Sequence, residues 1–343
     1  MIARPKISPR AAGAFTAVDK ATELQELHMG GTSITPVTLL LVQELPKLVS
    51  LGLQGCEGVQ ELPNEAPASL LRMNISSLQF IPEHRLAAWL QPVFHQLLSL
   101  QAAESMLSLA GLTTLVGQAA QAAAAASAVA EKGDWGSTEQ KSEESRHHLA
   151  MQQLDLSWCE KMEEISLVPF LELLPQLQHL TLRTQYFSDE MCTALAKNCP
   201  LLEHLTVARA SGPTASDSGM LALSGGCSRL RFLNISWNTD VTDTGIGSVL
   251  RQCSDLAHFV LEGVKRLTDD GIMSALASAP SSSLRVLDLS WVNTCDEKLV
   301  QSIQAQHPYV EVIDYYTNSH EAPKSVPPLV LAQPYTEPLT ARA

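Results

Sequence analysis

Basic residues are in short supply: 23 lysines and arginines face 36 aspartates and glutamates in a chain of 343 residues, a formal net charge of −13. A surface that tracks nucleic-acid phosphates needs the opposite balance, so no nucleic acid is expected as a partner, and neutral or basic proteins are favoured. Paired cysteines are missing as well. Cys56, Cys159, Cys192, Cys199, Cys227, Cys253 and Cys295 are scattered, odd in number and without a CxxC pair. That pattern opposes a disulfide framework or a zinc module and favours a cytoplasmic or nuclear setting. GxSxG, P-loop, HExxH and post-strand GxGxxG motifs are all absent, so no enzyme, cofactor or metal site is expected. The basic N-terminus has no apolar run long enough for a secretory signal. The uncharged window from Ser105 to Ala130 has the length of a bilayer span, but it is mostly alanine broken by glutamine and glycine. Its hydrophobic density is too low, and no membrane partner is expected.

What the chain does have is repetition. LDLSWC (154–159), LNISWN (233–238) and LDLSWV (287–292) are versions of one phrase. The wider pattern, apolar-x-x-apolar-x-apolar, starts at Leu24, Leu48, Leu70, Met151, Leu177, Leu202, Leu230, Leu256, Leu284 and Val310. Every step but one lies between 22 and 28 residues, and the exception is 81. Between these strands the period changes. SDEMCTALAKNC, SDSGMLALSGGC, TDTGIGSVLRQC and TDDGIMSALASA each open with a capping Ser or Thr and an Asp that suits a helix N-terminus, then carry apolar residues three and four apart. Each unit is a strand, a turn and a short amphipathic helix. Alone it cannot bury both of its apolar sides, so the units must stack into a curved α/β solenoid with an inner parallel sheet and outer helices.

These units resemble leucine-rich repeats of the cysteine-containing type found in F-box/leucine-rich-repeat proteins. The resemblance rests on the strands above, on VTDTGI (241–246) and LTDDGI (267–272), and on CPLLEHL (199–205), CSRLRFL (227–233) and CSDLAHF (253–259). It implies a ribonuclease-inhibitor-like horseshoe. Ala279 stands where the pattern expects Cys, and the early repeats lack the Thr-Asp cap.

The expected organisation is an N-terminal arm (1–22), N-terminal repeats (23–100), an Ala-rich and polar insertion that is largely disordered (101–147), C-terminal repeats (148–317) and a Pro-rich tail (318–343). A degenerate repeat around Leu97 and Leu100 is one reading of the segment before the insertion. The tail reads either as an extended arm or as a cover for the last strand.

Residues between the strand leucines point to the concave face. One column there contains Gln153, His179, His204, Phe232, His258 and Val286. The next holds Asp155, Thr181, Thr206, Asn234, Val260, Asp288 and Asp314, and the third Ser157, Arg183, Ala208, Ser236, Glu262 and Ser290. The histidine column has no acidic cluster beside it and is interrupted by Phe232, which favours a polar recognition face over a metal site. Trp158, Trp237 and Trp291 fall just past their strands, at the lip, where other repeats carry Thr184, Arg209 and Gly263. Large aromatics at a partly exposed edge are common interface anchors. Trp237 and Trp291, with Gly263 between them, are expected to flank a notch about 10 Å wide. The cysteines ending successive helices are expected to line up as a buried ladder.

Together these features point to a protein-binding module whose contact residues are Trp158, Trp237, Trp291, Asp155, His179, Arg183, His204, Asn234, His258 and Asp288. By resemblance it looks like the substrate-recognition part of an SCF-type ubiquitin ligase, which implies Skp/cullin components as further partners where an F-box accompanies the repeats. Neither the first 22 residues nor PVTLLLVQELPKL (36–48) reads as an F-box, so the expectation is a partial gene product or a protein working without that box. The alternative is a scaffolding subunit of a large assembly with no ubiquitin role.

Overall fold

The computed structural model describes residues 23–108, 111–112, 114–115, 117, 148–159, 167–182, 187–208, 214–279, 283–293 and 295–322. Twelve strands form one sheet in strict sequence order: β1 (Glu26–His28), β2 (Ser50–Gly52), β3 (Arg72–Asn74), β4 (Ser99–Gln101), β5 (Gln153–Asp155), β6 (His179–Leu182), β7 (His204–Val207), β8 (Phe232–Asn234), β9 (His258–Val260), β10 (Val286–Asp288), β11 (Glu311–Ile313) and β12 (Ser319–His320). The first eleven pair in parallel, and β12 pairs antiparallel with β11.

The central residue of each parallel strand faces inward. Leu27, Leu51, Met73, Leu100, Leu154, Leu180, Leu205, Leu233, Phe259, Leu287 and Val312 are each at most 5% exposed, so one apolar row runs the length of the sheet without a break. Each such side chain contributes about 1.5–3 kcal/mol on burial, and no single row is complete without its neighbours.

Behind the sheet lie helices α1 (Pro36–Gln43), α2 (Glu83–Leu90), α3 (Val168–Leu171), α4 (Asp189–Asn198), α5 (Asp217–Gly226), α6 (Asp243–Gln252), α7 (Asp269–Ala277) and α8 (Glu297–Gln306). The Ser/Thr-Asp openings work as a pair, but with a division of labour. Ser188, Ser216, Thr242 and Thr268 cap their own helices through their side-chain oxygens. The aspartate that follows reaches forward instead. Asp189 accepts hydrogen bonds from Ser216 N and Oγ (2.7 and 2.6 Å), Asp217 from Thr242 N and Oγ1 (2.8 and 2.6 Å), and Asp243 from Thr268 N and Oγ1 (2.9 and 2.7 Å). Charged acceptors make these bonds stronger than neutral ones.

The glycine of the TDxG pattern has its reason in the same joint. A Cβ on Gly219, Gly245 or Gly271 would overlap the side chain of Asp189, Asp217 or Asp243 respectively. The helices with a larger residue at that place, Met191 in α4 and Leu299 in α8, stand at the two ends of the ladder.

At the other end of the helices the cysteines align. Cys199, Cys227 and Cys253 follow α4, α5 and α6, and their Sγ atoms lie 3.6–3.7 Å from carbonyls of the preceding repeat. All seven cysteines are free and buried. Burial pushes the Cys199 and Cys253 thiols up to about 12, and raises Cys227 further. They stay protonated and act as small apolar fillers.

Leu97 and Leu100 do belong to a row of their own, with Leu100 inward on β4. The segment after it does not leave the stack at residue 101: Leu107, Leu112 and Leu115 are buried, and Ser108 N donates to Glu83 Oε1 (3.1 Å). Their apolar side chains complete the core beside α2. The rest of the expected insertion, 118–147, lies outside the described residues, as do the arm 1–22 and the tail beyond 322. Of the two readings of the tail, the cover is realised in part, because Ser319 and His320 pair with Ile313 and Val312 at the edge of β11.

Candidate protein-binding face

The phrase L-D/N-x-S-W is a local folding device. Asp155 Oδ1 accepts from Ser157 N (2.9 Å), Asn234 Oδ1 from Ser236 N and Oγ (2.9 and 2.6 Å), and Asp288 Oδ1 from Ser290 N and Oγ (2.9 and 2.5 Å). Such a side-chain turn bends the chain sharply. The next residue is then left-handed: φ is 57° at Trp158, 67° at Trp237 and 58° at Trp291. Other rows place Gly31, Gly55, Ser77, Glu104 and Gly263 at the equivalent point, also with positive φ. Glycine is at home there; a bulky side chain costs about 1–3 kcal/mol in backbone strain. The turns also bond to each other along the stack, as in Trp237 N to Glu262 O (2.7 Å) and Gly263 N to Ser290 O (2.8 Å).

The consequence for the rim is direct. Trp158 is 42% exposed and Trp291 47%. Trp237 is half-buried, because its indole lies over Gly263: a Cβ on that glycine would come within 2.5 Å of Trp237 Cε3. The expected notch between Trp237 and Trp291 is therefore filled by the Trp237 ring. A glycine left open beside an aromatic is occupied by it, since burying the ring removes apolar surface from water.

The strand register aligns the expected face residues. His179, His204, Phe232 and His258 are successive partners, as are Asp155 and Thr181, then Thr206, Asn234, Val260 and Asp288. Phe232 lies between His204 and His258, as expected, and its ring continues the stack. The His179–His204 centroids are 5.6 Å apart at 20°, His204–Phe232 4.1 Å at 3°, and Phe232–His258 5.9 Å at 44°. Desolvation lowers the pKa of all three histidines, that of His204 to about 4 with His179 and His258 adding to the effect. At neutral pH the column is uncharged. Among the described residues no group of His, Cys, Asp and Glu is arranged to hold a metal ion.

Five expected positions differ. Ser157, Ser236 and Ser290 are at most 4% exposed; they sit beneath the turn and are not on the open face. Asp314 is not in the second column, because β11 is set one residue earlier: Ile313 pairs with Asp288, and Val312 is the buried residue. Asp314 instead organises the β11–β12 turn, accepting from Tyr316 N and Asn318 N (2.9 Å each) and bonding His320 Nε2 (2.9 Å). Burial raises its pKa, but the bonds from His320, Asn318 and Tyr316 outweigh that and hold it below the usual carboxylate value. Thr206, also on the second column, is fully buried. Arg183 lies outside the described residues, as do Thr184 and Arg209.

Sequence reasoning missed an aromatic cluster at the C-terminal end of the rim. Trp291 and Tyr315 have centroids 5.6 Å apart, Tyr315 and Tyr316 5.1 Å, and Tyr316 is 76% exposed. Only the corrected register brings Tyr315 beside Ser290 and Trp291.

A parallel one-strand-per-repeat sheet, helices behind it and asparagine or cysteine side chains bonding back from the turns define a leucine-rich-repeat solenoid. Cys56 Sγ to Met29 O, Cys159 Sγ to Ala102 O (3.1 Å each) and Asn238 Nδ2 to Val207 O (3.2 Å) are the bonds in question. The chain has the leucine-rich-repeat fold. Over 169 residues, 48% of the chain, it is 27% identical to F-box/LRR-repeat protein 4 from Bos taurus, and the match covers 27% of that protein. The chain thus spans about a quarter of that relative's length. Its fold is similar to a chain of the crystal structure of the Rad7 and Elc1 complex in yeast, with TM-score 0.59 and 17% identity over 91% of this chain and 81% of that one. A chain of the mouse RP105/MD-1 complex gives TM-score 0.45 and 15% identity, covering 84% and 41%. No protein-family model matches the chain. No helix among the described residues is long and apolar enough to cross a membrane.

Proposed function

We propose that this protein is a non-enzymatic recognition module that binds a protein partner on the open face and rim of its sheet. The observation that carries the reading is the set of tryptophans held in left-handed backbone. At positions where glycine would relax the chain, Trp158 and Trp291 keep their rings in solvent, where indole is a preferred interface anchor. The two rims lie five strands apart, about 24 Å along the face, a span that suits a protein surface better than a small molecule. His179, His204, His258, Asp155, Asn234 and Asp288 line the ground between them, with Arg183 and Trp237 completing the proposed contact set. The likeness to an F-box/LRR-repeat protein supports substrate recognition in an SCF-type ubiquitin ligase as the biological setting, in the cytoplasm or nucleus.

Affinity capture with the whole chain and with a Trp158→Gly/Trp291→Gly variant tests this. Proteins held by the former and released by the latter are expected; identical captures would overturn face binding. Mixing the purified chain with a purified Skp-type adaptor and its F-box-containing partners tests the ligase setting. Face-dependent capture with no ligase component among the partners leaves the scaffold role.

A further inference from the structure

The strand register lines up two columns of face residues along β1 to β11. They contain four carboxylates, Glu26, Asp155, Asp288 and Glu311, but a single lysine or arginine, Arg72 on β3. Arg72 is exposed, and among the described residues nothing bonds its guanidinium. No charge adjoins it. Val49, Leu71 and Leu98 precede the columns on β2 to β4, and Gln54, Ser76 and Ala103 follow them. Glu26 and Asp155 stand two strands away on either side, about 10 Å by strand spacing, and both have partners of their own. Further out, Lys47 holds Glu23 (2.6 Å) and Glu104 accepts from Ser77 Oγ (2.9 Å).

The same register places further donors beside the guanidinium. Ser50 and Ser99 are the Cα partners of Arg72 on the strands to either side. Both are small and buried, so neither side chain covers the arginine, and neither hydroxyl is hydrogen-bonded among the described residues. In the second column Ser76 N donates to Asn74 Oδ1 (3.0 Å), which orients that amide so that its Nδ2 donates to Gln101 Oε1 (2.5 Å). The Nε2 protons of Gln101 are thereby left over. A planar guanidinium fork matches a carboxylate in two parallel bonds. A basic side chain would be repelled here, and an apolar one would strip water from Arg72 without replacing it. A phosphate, or a run of acids, would bring extra negative charge toward Glu26 and Asp155 in a chain of net charge −13. We infer that Arg72, with Ser50, Ser99 and Gln101 beside it, receives one aspartate or glutamate side chain from the partner protein. This rests on the face-binding reading above and specifies the chemistry of the N-terminal end of the face.

The test is selection from a displayed library of random peptides on the intact chain, followed by titration of a synthesised selected peptide. An acid at one position, not a run, is expected to be enriched severalfold over the unselected library. Arg72→Gln keeps the length of the side chain and drops its charge; it should weaken the selected peptide about tenfold, the loss of one charge-assisted contact. Arg72→Glu should reject that peptide and recover binding when the peptide's acid is changed to lysine. Circular dichroism and urea midpoints confirm that the variants fold. A peptide whose acid is replaced by its amide needs no variant, and should bind the unaltered chain about tenfold more weakly. A pool without acidic enrichment, or an acidic peptide held equally by Arg72→Gln, would overturn the inference. Phosphoserine in place of the acid should bind more weakly, and tighter binding would reject the carboxylate. Peptides that depend on Trp158 but not on Arg72 would sink the inference while sparing protein binding at the face; no face-dependent pool at all would remove both.

Discussion

Rows β1 to β4 and rows β6 to β11 share one sheet yet complete their outer layers by different means. The later rows have helices of nine or ten residues, capped by their own Ser, Thr or Asp. Their joints use short, pre-positioned groups, an aspartate and the next repeat's cap. The earlier rows have eight-residue helices with no side-chain cap, and the stretch from β2 to β3 has none. There the backbone carbonyls are met by long side chains: Gln43 reaches Glu65 O (2.5 Å), Gln96 reaches Ala68 O (2.6 Å) and Arg85 reaches Leu62 O (3.1 Å). Ordering a Gln or Arg side chain costs about 1.5–2 kcal/mol of rotamer freedom, far more than an aspartate loses. Row length accounts for the helix-free stretch between β2 and β3. A 22-residue step has too few residues for a strand, two turns and a full helix, so loops seal the core with Leu53, Val59, Leu62 and Leu70.

The comparison is most strongly challenged by a core truncation. Leu233→Ala in β8 should destabilise by about 2–5 kcal/mol, and in urea the whole set of later rows should unfold together. Next comes the joint itself. Asp217→Ala strips the bonds to Thr242 N, Thr242 Oγ1 and Gly245 N and should cost about 2–3 kcal/mol; Gln96→Ala among the earlier rows should cost about 1 kcal/mol or less. Similar losses by chemical denaturation would erase the distinction between the two regions.

Gly245→Ala sharpens it by sign. Helix propensity alone favours alanine by about 1 kcal/mol, whereas overlap with Asp217, and a Cβ 3.0 Å from Val241 Cγ1, predicts a net loss of about 1–3 kcal/mol.

Acid offers a subtler contrast, because the histidine column belongs to the later rows alone. His204 titrates at about 4 in the folded chain against 6.5 in the unfolded one. Between those values the unfolded chain binds more protons, so the stability this site provides is whole above pH 6.5 and is lost as pH falls toward 4. His204→Phe, which extends the ring stack, should flatten the decline in urea midpoint between pH 7 and pH 5. The smallest expected effect is at the rim: Trp291→Gly should change stability by less than about 1 kcal/mol, backbone relief offsetting the lost contact with Tyr315.

The strand rows were legible because L-x-x-L-x-L reports its own burial, residue by residue. The caps Ser216, Thr242 and Thr268 were legible for the same reason, since a cap acts within one repeat. What Asp189, Asp217 and Asp243 do was not, because their partners lie one repeat away and about 25 residues on in sequence. Gly219, Gly245 and Gly271 likewise have no meaning until a neighbouring carboxylate is set against them. The face column was misread at Asp314, where VEVI shortens the usual spacing by one residue and moves Val312 inward. The Trp237–Trp291 notch failed because a periodic argument places backbones, while an indole fills any hollow it can reach.

The forward-reaching aspartate makes each junction head-to-tail. A cassette running from one aspartate to the next cap carries both halves of its own fastening, so a tandem copy spliced between α5 and α6 would arrive already equipped to engage the units on either side. Lengthening by gene duplication thus requires no newly evolved contact in that stretch of the array.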